Sequence, residues 1–271
     1  MHAAAAAISS PLRGVRVLEI AGLAPVPLAG LMLRHAGASV IRVDRCGGGG
    51  LPDVLGSGKR SIALDLKHPG GSRIMQQLVA ASDVLLDPFR PGTLEASGLG
   101  PTQLLELNPR LIIARLTGYG QGSVGPLARA AGHDINYVAI SGILSLLRRP
   151  GGRPQVPLNL LADFSAGSAL AVSGVAMALY ARSQTGRGGV IDVSMSAGVA
   201  YLSSLVVNLQ REGLWDALPF LSPGSAPWYD VYATSDDRWV AIGALEPKFF
   251  ALLLRVRWGH FSAGCKCTPT F

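Results

Sequence analysis

Apolar residues fall along this chain in short unbroken runs separated by amphipathic stretches. VRVLEI at 15–20, ASVIRV at 38–43, SIALDL at 61–66, DVLLD at 83–87 and LIIARL at 111–116 have the length and β-branched content of buried strands. Between them, residues 28–35, 71–81 and 101–107 carry helical spacing. Such alternation predicts an α/β fold, an open, mostly parallel, Rossmann-like sheet flanked by helices, with the start of a smaller second domain. Further on come a long small-residue helix at 164–181, a turn at SQTGRGG, a strand at 190–195 and a helix at 196–209. The pattern breaks into a Pro- and Gly-containing loop at 214–227. Residues 229–233 and 239–243 predict a hairpin turning at Ser235-Asp236-Asp237, and 246–255 a closing helix. The expected organisation is a large domain over 12–210, a linker over 211–228, a partial small domain over 229–255 and a tail without periodicity over 256–271.

Composition narrows the class. Of 271 residues, 49% are hydrophobic and 15% charged, which supplies a core and argues against disorder. The most apolar stretch, 169–180, is diluted by Ser and Gly and falls short of the roughly 18–20 residues of a bilayer span, so a buried helix is expected and no membrane span. The start, MHAAAAAISSPLRG, lacks the apolar core of a signal peptide and the arginines of a transit peptide, and TPTF matches no targeting tripeptide. The net charge of +7 comes from Lys and Arg scattered in ones and twos, without a basic run. That distribution favours an anionic, phosphate-bearing small ligand over nucleic acid. The cysteines, Cys46, Cys265 and Cys267, are too few for a disulfide framework, and C-x-C without a second pair predicts no metal site.

No G-x-G-x-x-G follows the first strand, and no phosphate-loop motif occurs anywhere. The glycines at 47–50 lie in a loop that does not lead into a helix. A nicotinamide or ATP enzyme is therefore disfavoured. Basic residues instead sit at strand ends and the loops beyond them: Arg45, Lys59, Arg60, Lys67 and Arg90. Arg45, Lys67 and Arg90 follow strands, where open α/β sheets collect ligands, and together form a candidate polyphosphate clamp.

Three segments offer proton-transfer chemistry. AGHDINY (131–137) places His133 or Asp134 at a helix start. The helix dipole disfavours a charged His there and leaves it able to accept a proton, while a structural His in a capped turn fits equally. LNLLADF (158–164) delivers Asp163 after an apolar run, either as the N-cap of the next helix or as a second proton carrier. GALEPKF (243–249) puts Glu246 at a strand-to-helix junction, as a first-turn acid or as a partner orienting the His.

Read in order, VRVLEIAGLAP, GASVIRVDR, GKRSIALDLK, DVLLDPFRPG, ARLTGYGQ, AGHDINY, PLNLLADF, TGRGGVIDVSM and GALEPKFF make the chain resemble the α-methylacyl-CoA racemases, within the wider class III CoA-transferases, from about Gly14 to Leu254. The resemblance implies that His133 and Asp163 are the two proton carriers and that Glu246 supports the His. It implies CoA-binding positions at Arg45, at Leu64, Asp65, Leu66 and Lys67, at Arg90, and at Gly132, His133, Asp134, Ile135, Asn136 and Tyr137. It also implies epimerisation of (2R)- and (2S)-2-methylacyl-CoA thioesters through an enolate. No cofactor is expected beyond the CoA of the substrate, and the location implied is the peroxisome or the mitochondrion. The acyl group is open: branched fatty acyl, bile-acid intermediate and arylpropionyl chains all need an apolar pocket. The amides flanking Asp163 are the expected donors to the enolate oxygen.

Two other readings stand beside this one. In a CoA-transferase of the same family Asp163 would attack the thioester and form an acyl anhydride, with no need of His133. The resemblance stops near Leu254, which also predicts a shortened chain, a splice form or a frameshifted reading, without a complete small domain. The homodimer that the family forms would need that domain, and exposed apolar surface would favour an inactive form.

Overall fold

A computed structural model describes residues 10–47, 54–122, 127–215, 218 and 224–255. The amino-terminal arm (1–9), the glycines at 48–50, most of 216–223 and the tail over 256–271 lie outside the described residues. The chain divides into two compact units, one of residues up to Leu147 with Gln155–Asn208, the other of Arg148–Pro154 with residues from Leu209 on.

The first unit is built on β1 (Arg16–Ile20), β2 (Ser39–Arg45), β3 (Arg60–Leu64), β4 (Val84–Asp87), β5 (Ile112–Thr117) and β6 (Gly189–Ser194). They form one sheet in the order β3-β2-β1-β4-β5-β6, and every pair is parallel. The order reverses direction between β1 and β4, and α/β sheets bind ligands at the carboxyl ends of the strands flanking such a switch. The loops after β1 and β4 meet there so closely that a Cβ on Gly22 would lie 2.6 Å from Pro88 Cβ.

Alternate side chains along each strand enter opposite layers. Val17, Val84, Leu86, Ile112, Ala114 and Leu116 join the core beneath α1 (Pro25–His35), α4 (Asp134–Ile140), α5 (Leu170–Thr185) and α6 (Met195–Leu202). Leu18, Leu85 and Ile113 join the core that holds Met75 and Val79 of α2 (Pro69–Ala80) and Leu104 of α3 (Pro101–Leu107). β1, β4 and β5 are covered on both faces, which is why they read as unbroken apolar runs.

One acid inside those runs has a structural use. Glu19 of β1 is fully buried and pairs with Lys59, whose side chain is 2% exposed, at 2.7 Å. Lys59 also donates to the Pro27 carbonyl of α1 at 2.8 Å. The pair fits because α1 has Gly30 above it: a Cβ there would fall 1.7 Å from Glu19 Oε2. Ala in mid-helix gains about 1 kcal/mol of helix propensity over Gly. Disrupting a buried ion pair costs about 3–5 kcal/mol. Gly30→Ala is therefore expected to lower stability by about 2 kcal/mol or more, read as a drop in the urea midpoint at constant m.

Before α5 runs a π-helix, Leu160–Ala169, continuous with it. Together they make a helix of 26 residues, long and apolar enough by length and composition to cross a membrane, where the sequence reading expected no such stretch. The difference arises because that reading took 169–180 as the apolar stretch, whereas the helix already begins at Leu160. In the fold this helix buries Asp163, Ser168 and Arg182 along with Ala162, Ala166 and Val175.

The second unit contains the antiparallel hairpin of β7 (Tyr229–Ala233) and β8 (Trp239–Gly243), in register from Tyr229↔Gly243 to Ala233↔Trp239. Arg149 reaches Asp230 of β7 at 2.8 Å, which ties residues 148–154 into this unit. Along the chain, α7 (Ser204–Arg211) precedes the hairpin and α8 (Pro247–Arg255) follows it.

Candidate active site

The site lies at the carboxyl edge of the sheet, in the first unit. After β5 the chain turns through Gly118 and Tyr119, and α4 seats its first turn on that turn. Tyr137 packs edge-on against Tyr119 with ring centroids 5.1 Å apart, and its hydroxyl donates to the Gly132 carbonyl at 2.6 Å. The packing leaves no room for side chains at two glycines: a Cβ would lie 2.2 Å from the Tyr137 ring at Gly118 and 2.7 Å at Gly132. Burial, then the Tyr119 and Asp163 charges, push the Tyr137 hydroxyl up to about 12 against the pull of Arg90. Tyr137 therefore stays protonated and serves as a donor that fixes the loop before α4.

His133 is the N-cap residue of α4, in an extended conformation, and its N–H donates to Asn136 Oδ1 at 3.0 Å. Its imidazole is at the surface and Asp134, the next residue, is 2% exposed. Asp134 turns inward and across to the π-helix. Its Oδ2 accepts the N–H of Ala162 and the N–H of Asp163, each at 2.8 Å. One carboxylate thus ties the start of the helix that carries His133 to the start of the helix that carries Asp163.

Asp163 is 8% exposed. The π-helix reaches it through two consecutive left-handed residues, Leu158 (φ 55°) and Asn159 (φ 61°). Such conformations cost non-glycine residues free energy and gather at functional sites; π-turns do the same. The bend aims Asn159 Nδ2 at Asp163 Oδ2, to which it donates at 2.8 Å. Burial first, and the Asp134 charge after it, push the Asp163 carboxyl above its ordinary value, while the Asn159 hydrogen bond and His133 pull it down. His133 and Asp163 are therefore within electrostatic reach of each other, and one of them is a carboxyl poised towards proton exchange.

The basic residues divide by position. Arg45 ends β2, Leu64 ends β3 with Asp65, Leu66 and Lys67 directly beyond, and Arg90 follows β4, so all stand at the carboxyl edge. Arg45, Lys67 and Arg90 are exposed, and Arg90 Nη1 donates to the Arg129 carbonyl at 2.9 Å. The turn after β3 is held by Asp65, whose carboxylate accepts the Lys67 N–H at 3.0 Å. Beneath the Arg90 loop, Arg115 of β5 bonds Asp87 of β4 at 2.9 Å and Glu95 at 2.7 Å, and Asp87 Oδ1 accepts the Phe89 N–H at 2.8 Å. Among the described residues no three His, Cys, Asp or Glu side chains gather as a metal site.

These observations can be set beside known proteins. A model of CoA-transferase family III matches residues 12–260. The chain belongs to CoA-transferase family III. Its family III relatives include the α-methylacyl-CoA racemase of Mus musculus, 50% identical over 246 residues that make up 90% of this chain and 64% of the mouse protein. The human α-methylacyl-CoA racemase is 48% identical over the same span. The chain thus spans 64% of the length of these two relatives. The crystal structure of a CaiB/BaiF family protein from Brucella suis aligns at a TM-score of 0.75 and 30% identity, over 87% of this chain and 66% of that one.

For this family III chain the structure corrects two sequence expectations, both at Asp163, and places two basic residues outside the candidate clamp. Lys59 is buried against Glu19. Arg60 stands at the amino end of β3, at the opposite edge from Arg45, and donates to Ser39. Asp163 is not an N-cap: the helix starts at Leu160, and Asp134 caps the amides of Ala162 and Asp163 from another element. Those two amides are thereby engaged and unavailable to an enolate oxygen. Glu246 stands in the second unit, just ahead of α8, where its carbonyl accepts the N–H of Phe249 at 2.9 Å and of Phe250 at 3.0 Å. Asn159 went unread, although an Asn before an apolar run is a residue type suited to a left-handed turn.

Proposed function

We propose that this site interconverts the (2R) and (2S) forms of a 2-methylacyl-CoA thioester. The observation that carries the reading is the pairing of two titratable side chains, His133 and Asp163, on two helix starts bound together by Asp134. The names of the mouse and human relatives support it.

The proton next to a thioester carbonyl is weakly acidic, so its removal needs a placed base and stabilisation of the enolate that forms. Asp163, with its raised carboxyl, takes the proton from one face. His133, held at the head of α4, returns a proton to the other face, and the roles reverse for the opposite enantiomer. The carbon is inverted, and each carrier ends in the state in which the other began. The enolate oxygen finds its donors in the first turn of α4, where the N–H groups of Asp134 and Ile135 have no intrahelical acceptor. Arg45, Lys67 and Arg90 hold the CoA phosphates at the sheet edge. Proton transfer of this kind needs no resident cofactor, the CoA being part of the substrate.

The test is chiral chromatography of a (2R)-2-methylacyl-CoA incubated with the protein. The proposal expects the (2S) form to accumulate to equilibrium and expects His133→Ala to slow its formation by about 10²-fold or more. An acyl adduct trapped on Asp163, with optical purity preserved and no effect of His133→Ala, would assign the site to CoA transfer instead.

A further inference from the structure

The Asp134 carboxylate bonds two amides of the π-helix, and the proposed proton transfer makes no use of its charge. The start of α4 is already tied by Asn136, which accepts the His133 N–H. The Asp134 carboxylate caps a different helix, 28 and 29 residues further along the chain. A neutral hydroxyl or amide fills that place in most helices, yet here it is a carboxylate, 2% exposed, whose Oδ1 is buried without a hydrogen-bond partner among the described residues. A buried acceptor left unsatisfied costs about 1–3 kcal/mol. That cost has no structural return, because Oδ2 alone serves both amides.

We propose that Asp134 is a positioning residue for the proton carrier Asp163: it locks the first turn of the π-helix to the first turn of α4, so that the two carriers keep a fixed separation, and it places a negative charge beside Asp163. This rests on the racemase reading of the site. The groups that face Asp163 are Asp134 and His133 from α4, Tyr137 one turn further along α4, and Asn159 from its own helix start. Tyr137 stays neutral, so the balance is set by Asp134 against His133 and Asn159. A base of ordinary carboxylate strength is too weak for a thioester α-proton, and raising it improves the transfer. The Asp134 charge adds to what burial does for that purpose.

Asp134→Asn separates the two functions, since its amide oxygen still accepts both N–H groups while the charge is gone. The expected result is an acid limb of the pH–rate profile, in the direction where Asp163 takes the proton, displaced to lower pH by on the order of one unit. The maximal rate falls and KM is unchanged. Asp134→Ala, which also releases the two amides, is expected to lower kcat by about 10²-fold at constant KM, the effect of misplacing a base. An acid limb in Asp134→Asn that coincides with that of the unaltered protein, or a rise in KM at constant kcat, would overturn the proposal. If the unaltered protein does not racemise at all, the functional reading fails on its own. The Asp134 assignment is then decided by titrating the Asp163 carboxyl by ¹³C NMR: a lower pKa in Asp134→Asn supports it and an unchanged one refutes it.

Discussion

Asp163→Asn is expected to lower exchange of the substrate α-proton by about 10²- to 10⁴-fold, the range over which a positioned proton carrier contributes. The substitution is nearly isosteric, and the side-chain oxygen still receives the Asn159 amide, seen now at 2.8 Å. The amides of Ala162 and Asp163 remain capped by Asp134. The fold should therefore survive while the base is lost. Removing a buried carboxyl next to another one relieves repulsion, because Asp134 is among the charges that push Asp163 up. Asp163→Asn is thus expected to melt at or slightly above the temperature of the unaltered protein even as activity disappears, which ordinary destabilisation cannot imitate. Retained exchange, checked in heavy water by mass spectrometry, would remove Asp163 from the mechanism.

Arg115→Met should cause the largest loss of stability, about 3–5 kcal/mol, because it strands a buried carboxylate. Asp87 is fully buried and faces Arg115 across the β4–β5 ladder. Even with Arg115 in place, burial pushes the Asp87 carboxyl up to about 6. Without the guanidinium it rises further. A carboxyl whose folded pKa lies above its unfolded value binds more protons when folded, so stability lost at neutral pH returns as pH falls. The deficit of Arg115→Met is therefore expected to shrink between pH 7 and pH 5. Asp87→Asn in the same chain should recover most of it at pH 7, since the Asn oxygen still accepts the Phe89 N–H. Urea unfolding at the two pH values measures both effects. A deficit that does not depend on pH would show that packing, rather than charge, is what Arg115 supplies. The network lies under the loop of Arg90, so Arg115→Met is also expected to weaken the CoA binding proposed there.

The sheet was legible because its inner strands β1, β4 and β5 are buried on both faces and leave apolar runs bounded by turns. The hairpin was legible from its turn: two strand-like runs flank Ser235-Asp236-Asp237, and the strands fall there, at Tyr229–Ala233 and Trp239–Gly243. The site was legible in its residue types and only partly in its geometry. Helix-start rules place an Asp before an apolar helix at the N-cap, and Asp163 obeys another logic. Its helix begins three residues earlier, out of a left-handed Leu158-Asn159 pair that no glycine announces. The cap arrives from Asp134, a contact no local pattern contains. Charges inside apolar runs, such as Glu19, Asp87 and Arg115, signal buried partners, and Lys59 is the partner of the first. Gly30, the gap above that pair, marks the place in a helix otherwise suited to larger residues.

His133 and Asp163 are proposed to exchange a proton with the carbon next to a CoA thioester. The most direct measurement is deuterium incorporation at that carbon, with a 2-methylacyl-CoA in heavy water and the oligomeric state of the same sample read by size-exclusion chromatography. One deuterium per molecule is expected, gained along with loss of optical purity, and that loss of optical purity is expected to be abolished in His133→Ala and in Asp163→Ala. A discrete folded species that binds the thioester and leaves the α-hydrogen in place would contradict that proposal.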